Sequence, residues 1–196
     1  MNIDIEDSDQ IMSTRDAALC LGVSVRTVQL WVESGSLEAW KTPGGHRRIY
    51  RQSVNSMLAA RNARQITGAH FEILVCEDLN DASGQVEAQL KSLGSAVRVR
   101  TVHNSDEALI KIAECCSNLL VIDLVMVNST GIQMLDALRN SVFMHTMHII
   151  VVTDLDVDAM QKLGGLHPGV TKFTKPVPYA QMLRLIRIYM DISKTQ

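Results

Sequence analysis

Five residues able to handle charge stand directly after short apolar runs in the later two thirds of the chain: Glu77, Asp78, Asp123, Thr153 and Lys175. Their types suit one kind of chemistry. Carboxylates brought together repel one another and need a cation, and oxygen donors select a hard ion such as Mg²⁺. A cation and the Lys175 ammonium together offset the charge of a phosphoryl group carried on Asp123, with the Thr153 hydroxyl beside it. That is the logic of phosphoryl transfer, positioning plus charge stabilisation. Any one of the five alone is an ordinary polar residue at a strand end. What sets these residues apart is that all five fall at such ends.

The elements that must position them are legible from periodicity. Apolar or alternating runs predict strands at 71–76, 96–102, 119–122, 148–152 and 170–174. Between and after them, helical spacing predicts helices at 85–93, 105–114, 130–138, 157–163 and 178–190. Strands alternating with helices predict an α/β fold, a five-stranded parallel doubly wound sheet with helices on both faces. In such sheets the site lies at the carboxyl ends of the strands, where the five residues fall.

The stretches ILVCED, LLVIDLVMVNSTG, IIVVTD and TKFTKP resemble the signature stretches of response-regulator receiver domains over about residues 71–192. The resemblance implies a flavodoxin-like fold with Asp123 as phosphoacceptor. It implies Mg²⁺ held by Asp78, Asp123 and the Val125 carbonyl, with Glu77 acting through water, and a phosphoryl group contacted by Thr153 and Lys175. Gly131 matches the family's glycine eight residues beyond the acceptor, and Lys175-Pro176 its cis peptide bond. The implied phosphodonor is a histidine kinase or phosphotransfer protein. The implied output and dimerisation surface is the last two helices with the fifth strand. Three positions depart from the pattern: Val127 in place of a proline, Asp154 in place of a small residue, and Lys172 where the family carries a switch aromatic, with Phe173 one place on.

The earlier third reads differently. Ser13 and Asp16 form a capping-box pattern before Ala17, Ala18 and Leu21, and Gly22 stands where a helix ends. Ser24 caps a second helix reaching about Ser34, with Val28, Trp31 and Val32 on its apolar face and Gly35 closing it. Two short helices joined by a glycine turn make a helix-turn-helix. Arg26, Thr27 and Gln29 are read as lying off the apolar face, with donors suited to base edges and phosphates. Thr42-Pro43-Gly44-Gly45 predicts a hairpin wing, with Trp40, Ile49 and Tyr50 packed inward and His46, Arg47 and Arg48 beyond its tip. A further helix is expected from Ser53 to about Gln65.

The run STRDAALCLGVSVRTVQLWVESGSLEAWKTPGGHRRIY resembles the winged helix-turn-helix of the MerR superfamily, most closely its small excisionase-like and BldC-like members. That resemblance covers roughly residues 12–60. It implies duplex DNA as partner, with Arg26, Thr27 and Gln29 facing the major groove and His46, Arg47 and Arg48 the phosphates. Arg15 is a further candidate DNA contact.

Composition agrees with a globular, cytoplasmic protein. Hydrophobic residues make up 46% and charged residues 20% of the chain. No apolar run reaches membrane-span length, so no membrane association is expected. The acidic start lacks signal-peptide patterning. The four cysteines form no CxxC pair and are read as reduced thiols, and the six histidines suggest no zinc site. The overall charge of −2 divides into −4 over residues 1–10, +5 over 11–66 and −3 over 67–196, so the basic segment coincides with the helix-turn-helix. The expected organisation is an acidic tail (1–10), a winged helix-turn-helix domain (11–66), a short linker (67–70), a receiver domain (71–192) and a tail (193–196).

These features predict a DNA-binding transcription regulator of a two-component phosphorelay, switched by phosphorylation of Asp123 and acting as a homodimer, with RNA polymerase a further candidate partner. An alternative keeps DNA binding and makes the receiver a phosphate-independent dimerisation or docking module. A third reading is a DNA-architectural factor in recombination. No independent enzyme is expected.

Overall fold

The computed structural model describes residues 10–67, 70–77, 85–115, 117–125, 130–138, 141, 147–162 and 164–193. Its first helix, α1 (Thr14–Leu21), begins on the expected capping box: Ser13 Oγ accepts the Asp16 N–H and the Asp16 carboxylate accepts the Ser13 N–H. Gly22 ends the helix at φ 64°, a left-handed conformation open to glycine at little cost. Ser24 caps α2 (Val25–Glu33), its Oγ accepting the Thr27 N–H at 3.0 Å. Strands β2 (Ala39–Lys41) and β3 (Arg47–Tyr50) form the wing, and α3 (Arg51–Thr67) follows. A three-residue strand that periodicity did not predict, β1 (Ile11–Ser13), pairs antiparallel with the other edge of β3. Met12, Ala17, Leu21, Val28, Leu37 and Ile49 are buried between α1, α2 and this sheet.

The wing corrects one expectation. Ile49 is fully buried, but Trp40 and Tyr50 are about two-fifths exposed. The register explains it. Ala39 pairs with Ile49 and Trp40 with Arg48, and side chains alternate between faces. Once Ile49 points inward, Arg48, Tyr50 and Trp40 must point outward.

The second part is the expected α/β fold. Five parallel strands, β4 (Phe71–Cys76), β5 (Val97–Val102), β6 (Leu119–Asp123), β7 (His148–Thr153) and β8 (Val170–Thr174), lie in the order β5-β4-β6-β7-β8. Helices α4 (Gln85–Lys91), α5 (Ser105–Cys115), α6 (Thr130–Leu138), α7 (Val157–Lys162) and α8 (Tyr179–Ser193) connect and cover them. Alternate residues of β4 serve opposite layers: Ile73 and Val75 pack with Leu90 of α4 and Met182 and Ile186 of α8, Leu74 and Cys76 with Ala108 and Ile112 of α5 and Met134 of α6. Strand order reverses between β4 and β6, which opens a crevice at their carboxyl ends.

The core on the α5 and α6 side is continuous with that of the helix-turn-helix, because α2 packs on α5. No described helix is long and apolar enough to cross a membrane.

Candidate functional site

Among the described residues, the carboxyl ends of the strands carry Glu77, Asp123, Thr153 and Lys175 of the five selected from the sequence. Asp123 is the last residue of β6 and Glu77 follows β4, the neighbouring strand; each is 6% exposed. Lys175 follows β8, and its Nζ lies 2.6 Å from Asp123 Oδ2. The other carboxylate oxygen, Oδ1, accepts the Val125 N–H at 2.9 Å. Thr153, fully buried, ends β7 one residue beyond Val152, the register partner of Asp123. Its Oγ accepts the Leu155 N–H at 3.1 Å. The Lys175-Pro176 bond is cis, as the resemblance implied. Asp78 and Val127 lie outside the described residues.

The donor set fits a hard divalent cation. Two buried carboxylates face one crevice, each oxygen of Asp123 carries a further lone pair beyond the donor it already accepts from, and all candidate ligands are oxygen. Beside them lies a cavity of about 220 Å³, bordered by Glu77, Asp123 and Lys175 and by the apolar side chains of Val86, Val121 and Val152.

Three features go beyond the sequence reading. His103 Nδ1 lies 3.2 Å from the Glu77 carbonyl oxygen, bracing the loop that carries Glu77. Cys76, directly before Glu77, is buried, and desolvation pushes its thiol up to about 12, helped by the charges of Glu107, Asp123 and Glu77. Lys172, at the position expected to carry an aromatic, donates from Nζ to the Leu155 carbonyl at 2.6 Å. Leu155 is thus held from both sides, its N–H by Thr153 and its carbonyl by Lys172. The only advance signal was the odd residue type at 172.

The helix-turn-helix residues divide. Arg15 and His46 are exposed, and Arg48 is half-buried on the outward face of the wing. Arg47 pairs with Glu33 at 2.6 Å. Gln29 is half-buried. Arg26 is exposed but pairs with Asp106 of α5 at 3.1 Å. Thr27, read as lying off the apolar face, is 1% exposed. It sits one turn before Trp31 on the same stripe, and its hydroxyl lies 2.9 Å from that of Ser24. Trp31 is fully buried as expected, yet its indole N–H donates to the carbonyl of Leu109 in α5 at 2.8 Å.

An N-terminal helix-turn-helix thus precedes a receiver-type α/β domain. The chain matches the helix-turn-helix domain family over residues 11–62 and the response regulator receiver domain family over residues 73–187. It belongs to the response-regulator receiver family. Solved structures agree on the fold of this part. The signal receiver domain of a DNA-binding response regulator protein (merR) from Colwellia psychrerythraea 34H is 20% identical with a TM-score of 0.53, covering 62% of this chain and 98% of its own. A response regulator receiver protein from Pseudomonas putida is 25% identical with a TM-score of 0.50, over 61% and 97%. A CheY-like receiver domain from Methanospirillum hungatei JF-1 is 21% identical with a TM-score of 0.51, over 64% and 98%. No curated protein matches the chain in sequence. Together the two domains define a DNA-binding response regulator, a class of regulators rather than of enzymes.

Proposed function

We propose that this chain regulates transcription by binding duplex DNA through a MerR-like winged helix-turn-helix within 11–66, under the control of phosphorylation at Asp123 in the 71–192 receiver. The observation that carries the reading is the buried Asp123 carboxylate with the Lys175 ammonium at 2.6 Å, in a crevice shared with Glu77.

In the transfer step an oxygen of Asp123 attacks the phosphorus of a phosphohistidine on a histidine kinase or phosphotransfer protein. The new O–P bond makes an acyl phosphate as the N–P bond breaks, and the histidine nitrogen leaves with the electron pair. Lys175 then pairs with a phosphoryl oxygen instead of the bare carboxylate, and the Thr153 hydroxyl turns from Leu155 to donate to another. Glu77, Asp78, Asp123 and the Val125 carbonyl are the residues that would hold Mg²⁺, which when bound supplies charge neutralisation for the incoming phosphoryl group.

On the DNA side, Arg26, Thr27 and Gln29 belong to the helix assigned to the major groove, and Arg15, His46, Arg47 and Arg48 to backbone contact. One small winged domain makes few base contacts, which favours a homodimer. Val157 of α7 and Ile188 and Ile192 of α8 are exposed apolar residues on the elements assigned to that contact. RNA polymerase is the further partner of a regulator so placed, in the cytoplasm.

The test is intact mass with acetyl phosphate and Mg²⁺, repeated with a cognate kinase. A gain of one phosphoryl mass that disappears in Asp123→Ala supports the reading, and no gain from either donor refutes it. A second reading, a phosphate-independent docking module, is favoured by one observation: Lys172 holds Leu155 by its carbonyl, on the loop a phosphoryl-driven switch would have to move. Unchanged DNA affinity after full phosphorylation would select it.

A further inference from the structure

The wing has an open outer face. Met12 and Ile49 are buried toward α1 and α2, so the alternate residues of the three strands point the other way. The register sets them in two rows. Ser13, Arg48 and Trp40 lie side by side, and Ile11 lies beside Tyr50 in the next row. Trp40 and Tyr50 are diagonal neighbours within reach of each other, and each is about two-fifths exposed. Arg26 pairs with Asp106 and Arg47 with Glu33, but among the described residues Arg48 has no ion-pair partner. Two aromatic rings, an isoleucine and a guanidinium thus share one surface. Single exposed apolar residues are ordinary; a group of them marks a contact.

Residues 1–9, which lead into β1, have the matching chemistry. Asp4, Glu6, Asp7 and Asp9 carry four negative charges with no base among them. Ile3 and Ile5 alternate with Asp4 and Glu6, the period of a strand with one apolar face. Asp7-Ser8-Asp9 is turn chemistry between that run and β1. The point of attachment suits a return. The Gln10 carbonyl accepts the Arg51 N–H at 2.8 Å, and Ile11 already belongs to the outer face. Three strands span about 10 Å, and nine extended residues reach about 30 Å, so the segment can turn back and cross the whole face. Glu38, whose carbonyl accepts the Tyr50 N–H, ends the Tyr50 row with a charge of the wrong sign. That leaves the Arg48 row to receive the acids.

We propose that residues 1–9 fold back onto the outer face of the wing, Ile3 and Ile5 against Trp40 and Tyr50 and the carboxylates at Arg48, and that duplex DNA must displace them. The docking rests on the face and the segment themselves. The competition rests also on the reading of Arg48 as a phosphate contact. Closely spaced carboxylates present to a guanidinium what a phosphate backbone presents. Segment and face belong to one chain, so a weak contact is enough to keep the face covered much of the time. DNA affinity is then set by a population, because duplex binds only the uncovered fraction.

Acrylamide quenching of tryptophan emission reads the docking without DNA. Trp31 is fully buried and Trp40 is not, so a neutral quencher reports Trp40 in the full chain. Deleting residues 2–9 is expected to raise the quenching slope about twofold, as a ring covered much of the time becomes open. Salt at about 0.5 M is expected to raise it in the parent by part of that amount. A labelled mixed-sequence duplex at low salt is the second probe. Deletion is expected to tighten its binding about fivefold, within what a few exposed ion pairs supply. Plain repulsion between an acidic segment and DNA also predicts tighter binding. The deciding variant is therefore Ile3→Ser with Ile5→Ser, which keeps every charge. It is expected to raise the quenching slope as deletion does and to tighten binding about two- to threefold. A slope unmoved by both changes overturns the proposal, and so does tighter binding confined to the deletion. A slope in the parent that varies with protein concentration assigns the face to a second copy and overturns it too. Absence of duplex binding in every variant overturns the DNA-binding reading, while the quenching still decides the docking.

Discussion

Replacing Gly131 by alanine sets two effects against each other. Gly131 lies in the first turn of α6, and a Cβ built there meets only backbone: the Asp123 carbonyl oxygen at 2.6 Å, the Leu124 Cα at 3.0 Å and the Leu124 oxygen at 3.2 Å. Ordinary contact begins near 3.4 Å, so relief requires parting α6 from the end of β6. Helix propensity alone favours alanine over glycine by about 0.8–1.0 kcal/mol. Overpacking into an unyielding wall costs about 1–3 kcal/mol, and the wall here has no side chain that can swing away. The clash wins. Against backbone at 2.6 Å the upper part of that range applies, about 2–3 kcal/mol, so the expected net loss is about 1–2 kcal/mol, which for a chain of this length lowers Tm by roughly 2–8 °C. Gly44 is the control, since a Cβ there meets His46 at 3.7 Å, ordinary contact. Gly44→Ala is expected to hold Tm or raise it slightly. Thermal unfolding followed by circular dichroism reads both. A Gly131→Ala chain as stable as the parent, or more so, would show that propensity outweighs the close approach and would refute the placement of α6 against Asp123.

Lys175→Met withdraws the ammonium from a carboxylate that is 6% exposed, so stability in urea falls by about 1–3 kcal/mol; adding Asp123→Asn recovers much of the loss, and a strictly additive double variant would deny the coupling. Arg48→Ala weakens binding to all duplexes alike and reduces the slope of log K against log salt by about 1, whereas an unchanged slope would place Arg48 away from phosphate. Cys76 keeps its proton in the fold from its ordinary value of 9.0 up to about 12, while the unfolded chain loses it. Stability therefore falls as pH rises through that interval, by at most about 1.4 kcal/mol per pH unit, and Cys76→Ala flattens that part of the curve; at pH 8 iodoacetamide labels exposed Cys20 and spares Cys76. Burial lowers the His148 pKa below 6.5, and its ring stacks on Tyr189 at 3.8 Å. Below pH 6.5 the unfolded chain takes the proton first, so stability declines on acidification, and His148→Phe should remove that part of the decline.

Features written in local sequence were the legible ones. Capping residues act within four positions, so Ser13, Asp16, Gly22 and Ser24 could be read in place. The doubly wound sheet follows from the alternation of apolar runs with amphipathic ones, and its connection rules bring Asp123 and Lys175 together although they are 52 residues apart. Register was less legible. Trp40 and Tyr50 have the types of core residues, but facing is set by which residue pairs with which, and Ile49 claimed the inner face. Strand β1 was missed because three residues carry no period. The bracing of Glu77 by His103 and of Leu155 by Lys172 depends on loop paths that no spacing encodes.

Trp31 marks where residue type and partner part company. Its apolar spacing required burial, and burial is what the structure has, but a spacing argument assigns a tryptophan to the core of its own domain. The indole N–H needs an acceptor once it is taken from water, and the one it finds is a carbonyl 78 residues away in α5. Thr27 and Arg26 follow from that placement. With Trp31 turned toward α5, the residue one turn earlier on its stripe is covered and Arg26 is brought within reach of Asp106. The Arg26 guanidinium, of a type that suits α2 to nucleic acid, suits it equally to the acidic N-terminus of α5. The Trp31 indole N–H and the Arg26 guanidinium are both engaged by α5, and the apolar core runs on across that contact, so the placement of α2 is set by the receiver as much as by its own domain.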